Sequence, residues 1–214
     1  RDRNELGGRT LMQKRDKRRL AIGAVVAVLS AAGGYAGYWA MDRAGPLLST
    51  HGNEIGGSFR LVSAAEGEVS DRNFRGRWML VYFGYTHCPD EQCGATLRAM
   101  AGAMDLLGPK HRSVAPLFIS VDPMRDTAEA MRAYTLRFGP RIFAMTGAPT
   151  MLKAVTAEYH APYVRHEGKD GDYSMEPSPR IVIMSPEGRY AGTIQSDASA
   201  QDIADRLNSL MAAQ

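Results

Sequence analysis

Two cysteines, Cys88 and Cys93, stand in the segment Gly84-Tyr-Thr-His-Cys-Pro-Asp-Glu-Gln-Cys-Gly94, and the chain has no others. A thiolate is a nucleophile and a soft ligand suited to Cu(I). In an oxidising compartment such a pair closes as a disulfide. The segment leaves an apolar run, Trp78–Phe83, and enters a helical pattern from Thr96 to Leu107. Free N–H groups and the dipole at a helix N-terminus favour thiolate there. The spacing is C-x4-C. On a regular α-helix a five-residue step turns about 500° and leaves the two side chains roughly 140° apart. The sulfurs therefore meet only if part of the segment is loop or bulged turn, and Pro89 suits a loop. Two small buried residues with no shared role is the competing reading. The soluble part shows no Gly-rich phosphate loop, no zinc pattern and no basic patch interleaved with aromatics.

The elements that must position this segment follow from periodicity. Trp78–Phe83, Leu117–Val121 and Ile181–Met184 are continuous apolar runs, as in strands buried on both faces. Between them Leu97, Met100, Ala101, Met104 and Leu107 recur at helical spacing. Asp126 with Glu129 predicts a helix start, running to about Phe138. Pro149 opens a helix to about Tyr159, and Ser199 caps one carrying Ile203, Leu207 and Leu210. Ser185-Pro-Glu-Gly188 predicts a hairpin into Tyr190–Ile194, and Glu66-Gly67 one between Phe59–Val62 and Glu68–Asn73. Short buried strands alternating with helices predict an α/β sheet.

Charge divides the chain. Residues 1–43 hold nine Lys/Arg against four Asp/Glu, whereas the remainder holds 17 against 19, so the net +3 belongs to an N-terminal arm. A slightly acidic soluble part argues against a nucleic-acid partner. Leu20 to Met41 is uncharged over 22 residues, which as a helix spans roughly 33 Å, enough for a bilayer core. The basic cluster Lys14–Arg19 precedes it, and Tyr35, Tyr38 and Trp39 lie near its far end. This predicts a cytoplasmic basic arm (1–19), a single-pass inner-membrane anchor (20–41), a tether (42–57) and a periplasmic domain (58–214). A cleaved signal peptide is the alternative. The apolar run exceeds the usual signal length, and its small-residue site, Ser30-Ala31-Ala32, falls inside it.

The strings Phe83-Gly-Tyr-Thr-His-Cys-Pro-Asp90 and Ile119-Ser-Val-Asp-Pro-Met-Arg-Asp-Thr127, with Met145-Thr-Gly147 and Ser185-Pro-Glu-Gly188, resemble the Sco (SenC) family from about Gly56 onward. The resemblance implies a thioredoxin-like fold with an N-terminal β-hairpin, preceded by one transmembrane helix. It implies support of respiratory cytochrome oxidase biogenesis by copper delivery, thiol–disulfide exchange or both. The partners would be the membrane and subunits of the oxidase or another respiratory complex. Two other readings stay open: a metal-free thiol–disulfide oxidoreductase and a non-catalytic accessory subunit.

The family holds copper with two cysteines, spaced C-x3-C, and one histidine in an Asp-His-Ser/Thr step. Cys88 carries over, and Cys93 is displaced by one residue. The histidine step falls on Glu176-Pro177-Ser178, where Pro177 has no imidazole. Met175 supplies a nearby thioether, so the expected copper set is Cys88, Cys93 and Met175. His87, His160 and His166 are further candidates, the last two in a loop from Tyr159 to Asp172. Pro179 resembles the cis-proline that faces the active cysteine in thioredoxin-like oxidoreductases; the plainer reading is a proline that opens a strand. Asp122, Pro123, Arg125 and Asp126 read as structural.

Overall fold

The computed structural model describes residues 55–63, 65–169 and 171–213. The arm (1–19), the anchor (20–41) and the tether as far as residue 54 lie outside the described residues. Among the described residues no helix is long and apolar enough to cross a membrane.

Three parallel strands form the middle of a seven-stranded sheet: β3 (Trp78–Gly84), β4 (Val114–Ser120) and β5 (Phe143–Thr146). Helix α1 (Ala95–Leu106) links β3 to β4, and α2 (Ala128–Leu136) links β4 to β5. Every residue of β3 and β4 is buried, so both faces of the sheet are covered there, as their unbroken apolar runs require. The predicted hairpins flank this centre. β1 (Arg60–Ser63) and β2 (Gly67–Ser70) extend the sheet beyond β5, with β1 antiparallel to it. β8 (Arg180–Met184) and β9 (Tyr190–Gln195) extend it beyond β3. The order is β2-β1-β5-β4-β3-β8-β9.

Three elements differ from the sequence reading. The strand expected over Glu68–Asn73 stops at Ser70, because Ser70 donates its N–H and hydroxyl to Asn73 Oδ1 (2.8 and 3.0 Å) and the chain turns into a 3-10 helix. Helix α2 is capped by Thr127, whose Oγ1 accepts from Ala130 N–H at 3.1 Å. Asp126, the expected cap, points into the interior instead. The expected loop before residue 172 contains half of a separate hairpin, β6 (Val164–Glu167) with β7 (Tyr173–Glu176).

Helix α3 (Pro149–Glu158) begins with the predicted proline, and α4 (Ala200–Ala212) packs on α1 with Ile203, Ala204 and Leu207 buried. Ser199 Oγ accepts from Asp202 N–H, and Ser199 N–H donates back to the Asp202 carboxylate, both at 3.1 Å. This reciprocal cap sets where α4 starts. Ser199→Ala is expected to cost about 1 kcal/mol and to lower the thermal midpoint by about 2–4 °C, read by circular dichroism.

Candidate functional site

The site grows from the end of β3. Successive strand side chains alternate between faces, so Tyr82 and Gly84 share one face, and Cys93 lies against it. Tyr82 Oη donates to Cys93 Sγ at 3.5 Å, and the Tyr82 ring stacks on Phe118 with centroids 6.1 Å apart. Gly84 leaves the room: a Cβ there would stand 2.7 Å from Phe118 and 3.2 Å from Cys93 Sγ. Burial raises the Tyr82 hydroxyl above the ordinary phenol range.

Cys88 and Cys93 are joined in a disulfide, with Cα atoms 5.8 Å apart. The bulged turn that C-x4-C demands is present. Asp90–Gly94 is a π turn in which Ala95 N–H reaches back five residues to Asp90 O. Pro89 ahead of it is extended (ψ 136°), and its carbonyl accepts from Gln92 and Cys93 N–H groups at 2.9 and 3.2 Å. Relative to the C-x3-C of the resembled family, the extra residue is taken up in this turn. Asp90 anchors it through Arg98 (2.8 Å) and Arg137 (2.9 Å), and Arg98 is the main cause that holds its carboxyl below the usual range. The two cysteines are unequal. Cys93 is wholly buried, and Cys88 keeps 7% of its surface exposed. The side-chain oxygen of Gln92 lies 3.7 Å from Cys88 Sγ.

Asp126 fastens the loop that carries Cys88. Its carboxylate accepts from Thr86 N–H (3.1 and 3.2 Å), Thr86 Oγ1 (2.6 Å) and Ser120 Oγ (2.6 Å). The ends of β3 and β4 thereby meet on one buried carboxyl, whose pKa is pushed up by desolvation against these hydrogen bonds. Asp122 and Arg125 form a second cluster. Arg125 Nε donates to Asp122 Oδ2 (2.6 Å) and Tyr173 Oη to Asp122 Oδ1 (2.7 Å). The guanidiniums of Arg125 and Arg165 each lie 3.7 Å from the Tyr173 ring centroid, so Asp122 and Arg125 latch the β6–β7 hairpin to the domain.

The remaining candidates differ in setting. Met175 is buried on β7 within the apolar cluster that also contains Cys88. Pro177 is buried and offers no donor. His166 is engaged with Glu176 at 3.0 Å, His160 is exposed at a positive φ of 47°, and His87 Nδ1 lies 3.1 Å from Thr86 Oγ1. Among the described residues no three His, Cys, Asp or Glu side chains group together. The cis reading of Pro179 is overturned, since every described peptide bond is trans. Pro179 is exposed, and its carbonyl accepts from Ser196 N–H at 3.0 Å, closing the β8–β9 hairpin. It opens a strand where its missing N–H costs nothing. The sequence reading missed Tyr82, because a phenol inside an apolar run looks like core. It also missed the anchoring role of Asp126, because an acid three residues before a glutamate looks like a cap.

A profile described as SCO1/SenC matches residues 49–212. The chain belongs to the SCO1/SenC family. Among its Sco relatives, the mitochondrial SCO1 homolog 1 of Arabidopsis thaliana is 40% identical over 139 residues, 64% of this chain and 41% of that protein. The mitochondrial SCO2 homolog of Bos taurus is 36% identical over 160 residues, 73% of this chain and 60% of that protein. The chain thus matches less than two thirds of the length of each of these two relatives. The crystal structure of Arabidopsis thaliana ScoI with copper bound superposes with a TM-score of 0.69 at 33% identity, over 75% of this chain and 99% of that one. The thioredoxin-like Sco fold with its N-terminal strands is therefore the fold of this chain.

Two outcomes follow from this geometry. Deleting exposed Glu91 restores C-x3-C and is expected to convert the π turn to an α turn. Cys88 and Cys93 should still pair, as measured by free-thiol titration. Asp126→Ala leaves the Thr86 and Ser120 donors without their acceptor and is expected to cost about 3 kcal/mol in denaturant melts. The folded pKa of Asp126 lies above its unfolded value, so ionising it opposes folding. Its contribution is greatest below the unfolded carboxylate pKa of about 3.9 and declines as pH rises through the folded value. The gap between wild type and Asp126→Ala should narrow over that window.

Proposed function

We propose that this chain is a membrane-anchored Sco protein, with its soluble domain in the periplasm, that supports cytochrome oxidase biogenesis by thiol–disulfide exchange at Cys88 and Cys93. The observation that carries this reading is the asymmetric disulfide, in which Cys93 is wholly buried and Cys88 keeps a small exposed edge. A thiolate from a partner reaches Cys88 and not Cys93. The attack forms a mixed disulfide on Cys88 and leaves the electron pair of the broken bond on Cys93. A second thiolate of the partner then releases Cys88. The partner dithiol becomes a disulfide as this pair becomes two thiols, and the reverse sequence reduces a partner's disulfide. In the assembly role the partner is a cysteine pair on an oxidase subunit.

The copper set of the family does not fit this chain. Pro177 occupies the position where the resembled family has its histidine, and a buried proline offers neither an imidazole nor an N–H. Two thiols alone leave the site one nitrogen ligand short of the family's set. No copper step is therefore assigned to this chain, in contrast to the copper-bound ScoI of Arabidopsis.

Cys88→Ser is expected to abolish exchange with an oxidised peptide bearing a cysteine pair, and to lower oxidase activity in cells to the level of a deletion strain. Full oxidase activity in that strain would overturn the proposal. Pro177→His is expected to raise the Cu(I) affinity of the reduced protein at least about tenfold, read by competition with a chromogenic chelator. If wild type already binds Cu(I) as tightly, copper delivery replaces thiol exchange as the reading.

A further inference from the structure

We propose that the Tyr82 hydroxyl is a catalytic group of the exchange reaction, the hydrogen-bond donor that receives the Cys93 sulfur when the disulfide opens. The inference rests on the thiol-exchange reading and adds to it a residue outside the cysteine segment.

When a thiolate attacks Cys88, the bond to Cys93 breaks and two electrons stay on the Cys93 sulfur. That sulfur is wholly buried, so water is not there to stabilise it. An anion in such a place is costly unless a donor already faces it. The phenolic hydroxyl of Tyr82 faces it at 3.5 Å, hydrogen-bonded to the sulfur in the disulfide state. A hydrogen bond to an ionised acceptor is roughly twice as strong as one to a neutral acceptor. The contact therefore strengthens as the reaction proceeds, which is the condition for lowering a barrier rather than tightening the resting state.

The setting keeps the donor in place. Tyr82 lies inside β3, paired in register with Phe118 on one side and Ile181 on the other. Its ring stacks on Phe118. Gly84, two residues on, leaves the space into which the Cys93 sulfur fits. A core position chosen for packing alone is served by phenylalanine, as the next residue, Phe83, illustrates on the opposite face. The hydroxyl of Tyr82 donates a hydrogen bond to a sulfur that must carry charge transiently.

The balance of the step is complete without another oxidant. A partner dithiol gives up two electrons and two protons and becomes a disulfide. Cys88 and Cys93 take up both and become thiols. Tyr82 lends its proton in a hydrogen bond and keeps it at the end.

Tyr82→Phe tests this, because it removes one oxygen and leaves the ring. With dithiothreitol as the reductant, the rate of opening of the Cys88–Cys93 bond is expected to fall about tenfold, since a better-stabilised leaving sulfur departs faster. Opening and reclosure of the bond are expected to slow together, so the equilibrium against a dithiothreitol redox buffer is expected to stay unchanged, since Cys93 is uncharged in both end states. A merely structural role for the hydroxyl would move the thermal midpoint and leave the opening rate of the folded protein unchanged. Equal opening rates in wild type and variant overturn the inference while the exchange reading stands. A wild-type disulfide that dithiothreitol does not open in the folded protein overturns both. Should the variant not fold, wild-type protein labelled at tyrosine Cζ gives the second measurement. The Tyr82 resonance is expected to shift between the disulfide and dithiol states, and an unchanged resonance overturns the inference.

Discussion

A carboxyl group withdrawn from water has to be met by donors, and Asp126 is met by the Thr86 N–H, the Thr86 hydroxyl and the Ser120 hydroxyl. These donors belong to the C-terminal ends of two neighbouring parallel strands. Strand ends in an α/β sheet are where loops diverge, and here a single side chain returning from the β4–α2 connection draws two of them together. Thr86 is two residues before Cys88. The position of Cys88, the less buried of the two cysteines, is therefore set by a buried hydrogen-bond cluster rather than by the disulfide alone. A bridge between residues five apart constrains only its own short loop. The carboxyl cluster ties that loop to the sheet.

The two sulfurs inherit different surroundings from this arrangement. Cys88 follows a loop held by Asp126, and it keeps a small edge of its surface open to solvent. Cys93 enters a helix whose buried face includes Leu97, Met100 and Met104, so it is drawn under the surface onto Tyr82 and Gly84. A symmetric pair would offer a partner two points of attack and two products. The asymmetric pair offers one, and chemical direction follows from burial. The latch formed by Asp122, Arg125 and Tyr173 adds a second restraint, holding the small β6–β7 hairpin to the β4–α2 loop.

Much of this was legible in the sequence where one physical signal dominates. The runs Trp78–Phe83, Leu117–Val121 and Ile181–Met184 are unmistakable because strands buried on both faces tolerate little polarity. Ser199 and Pro149 mark helix starts because capping chemistry is local. β5 was not legible: its four residues are too short for a period to show. The β6–β7 hairpin was hidden because Val164, Arg165, His166 and Glu167 are all exposed and carry no apolar alternation. Within the site, the demand for a non-helical turn between the cysteines followed from arithmetic on the spacing. Which residue would face the buried sulfur did not. That depends on how β3 and α1 pack, and tyrosine on an apolar strand gives no sign of its hydroxyl's partner. Pro179 misled for a related reason, since a proline before a strand looks the same in sequence whether its peptide bond is cis or trans.

The π turn carries one more consequence. In a regular helix an added residue rotates everything after it by about 100° and shifts it by about 1.5 Å. Leu97, Met100 and Met104 would then face solvent, and the contact with α4 would be lost. A turn that reaches back five residues absorbs the insertion before α1 begins, so the core sees no change of phase. Cysteine spacing and core register are thereby uncoupled. The length of the reactive loop is set separately from the phase of the hydrophobic interior, so a residue gained or lost between the cysteines leaves the packing of α1 in place.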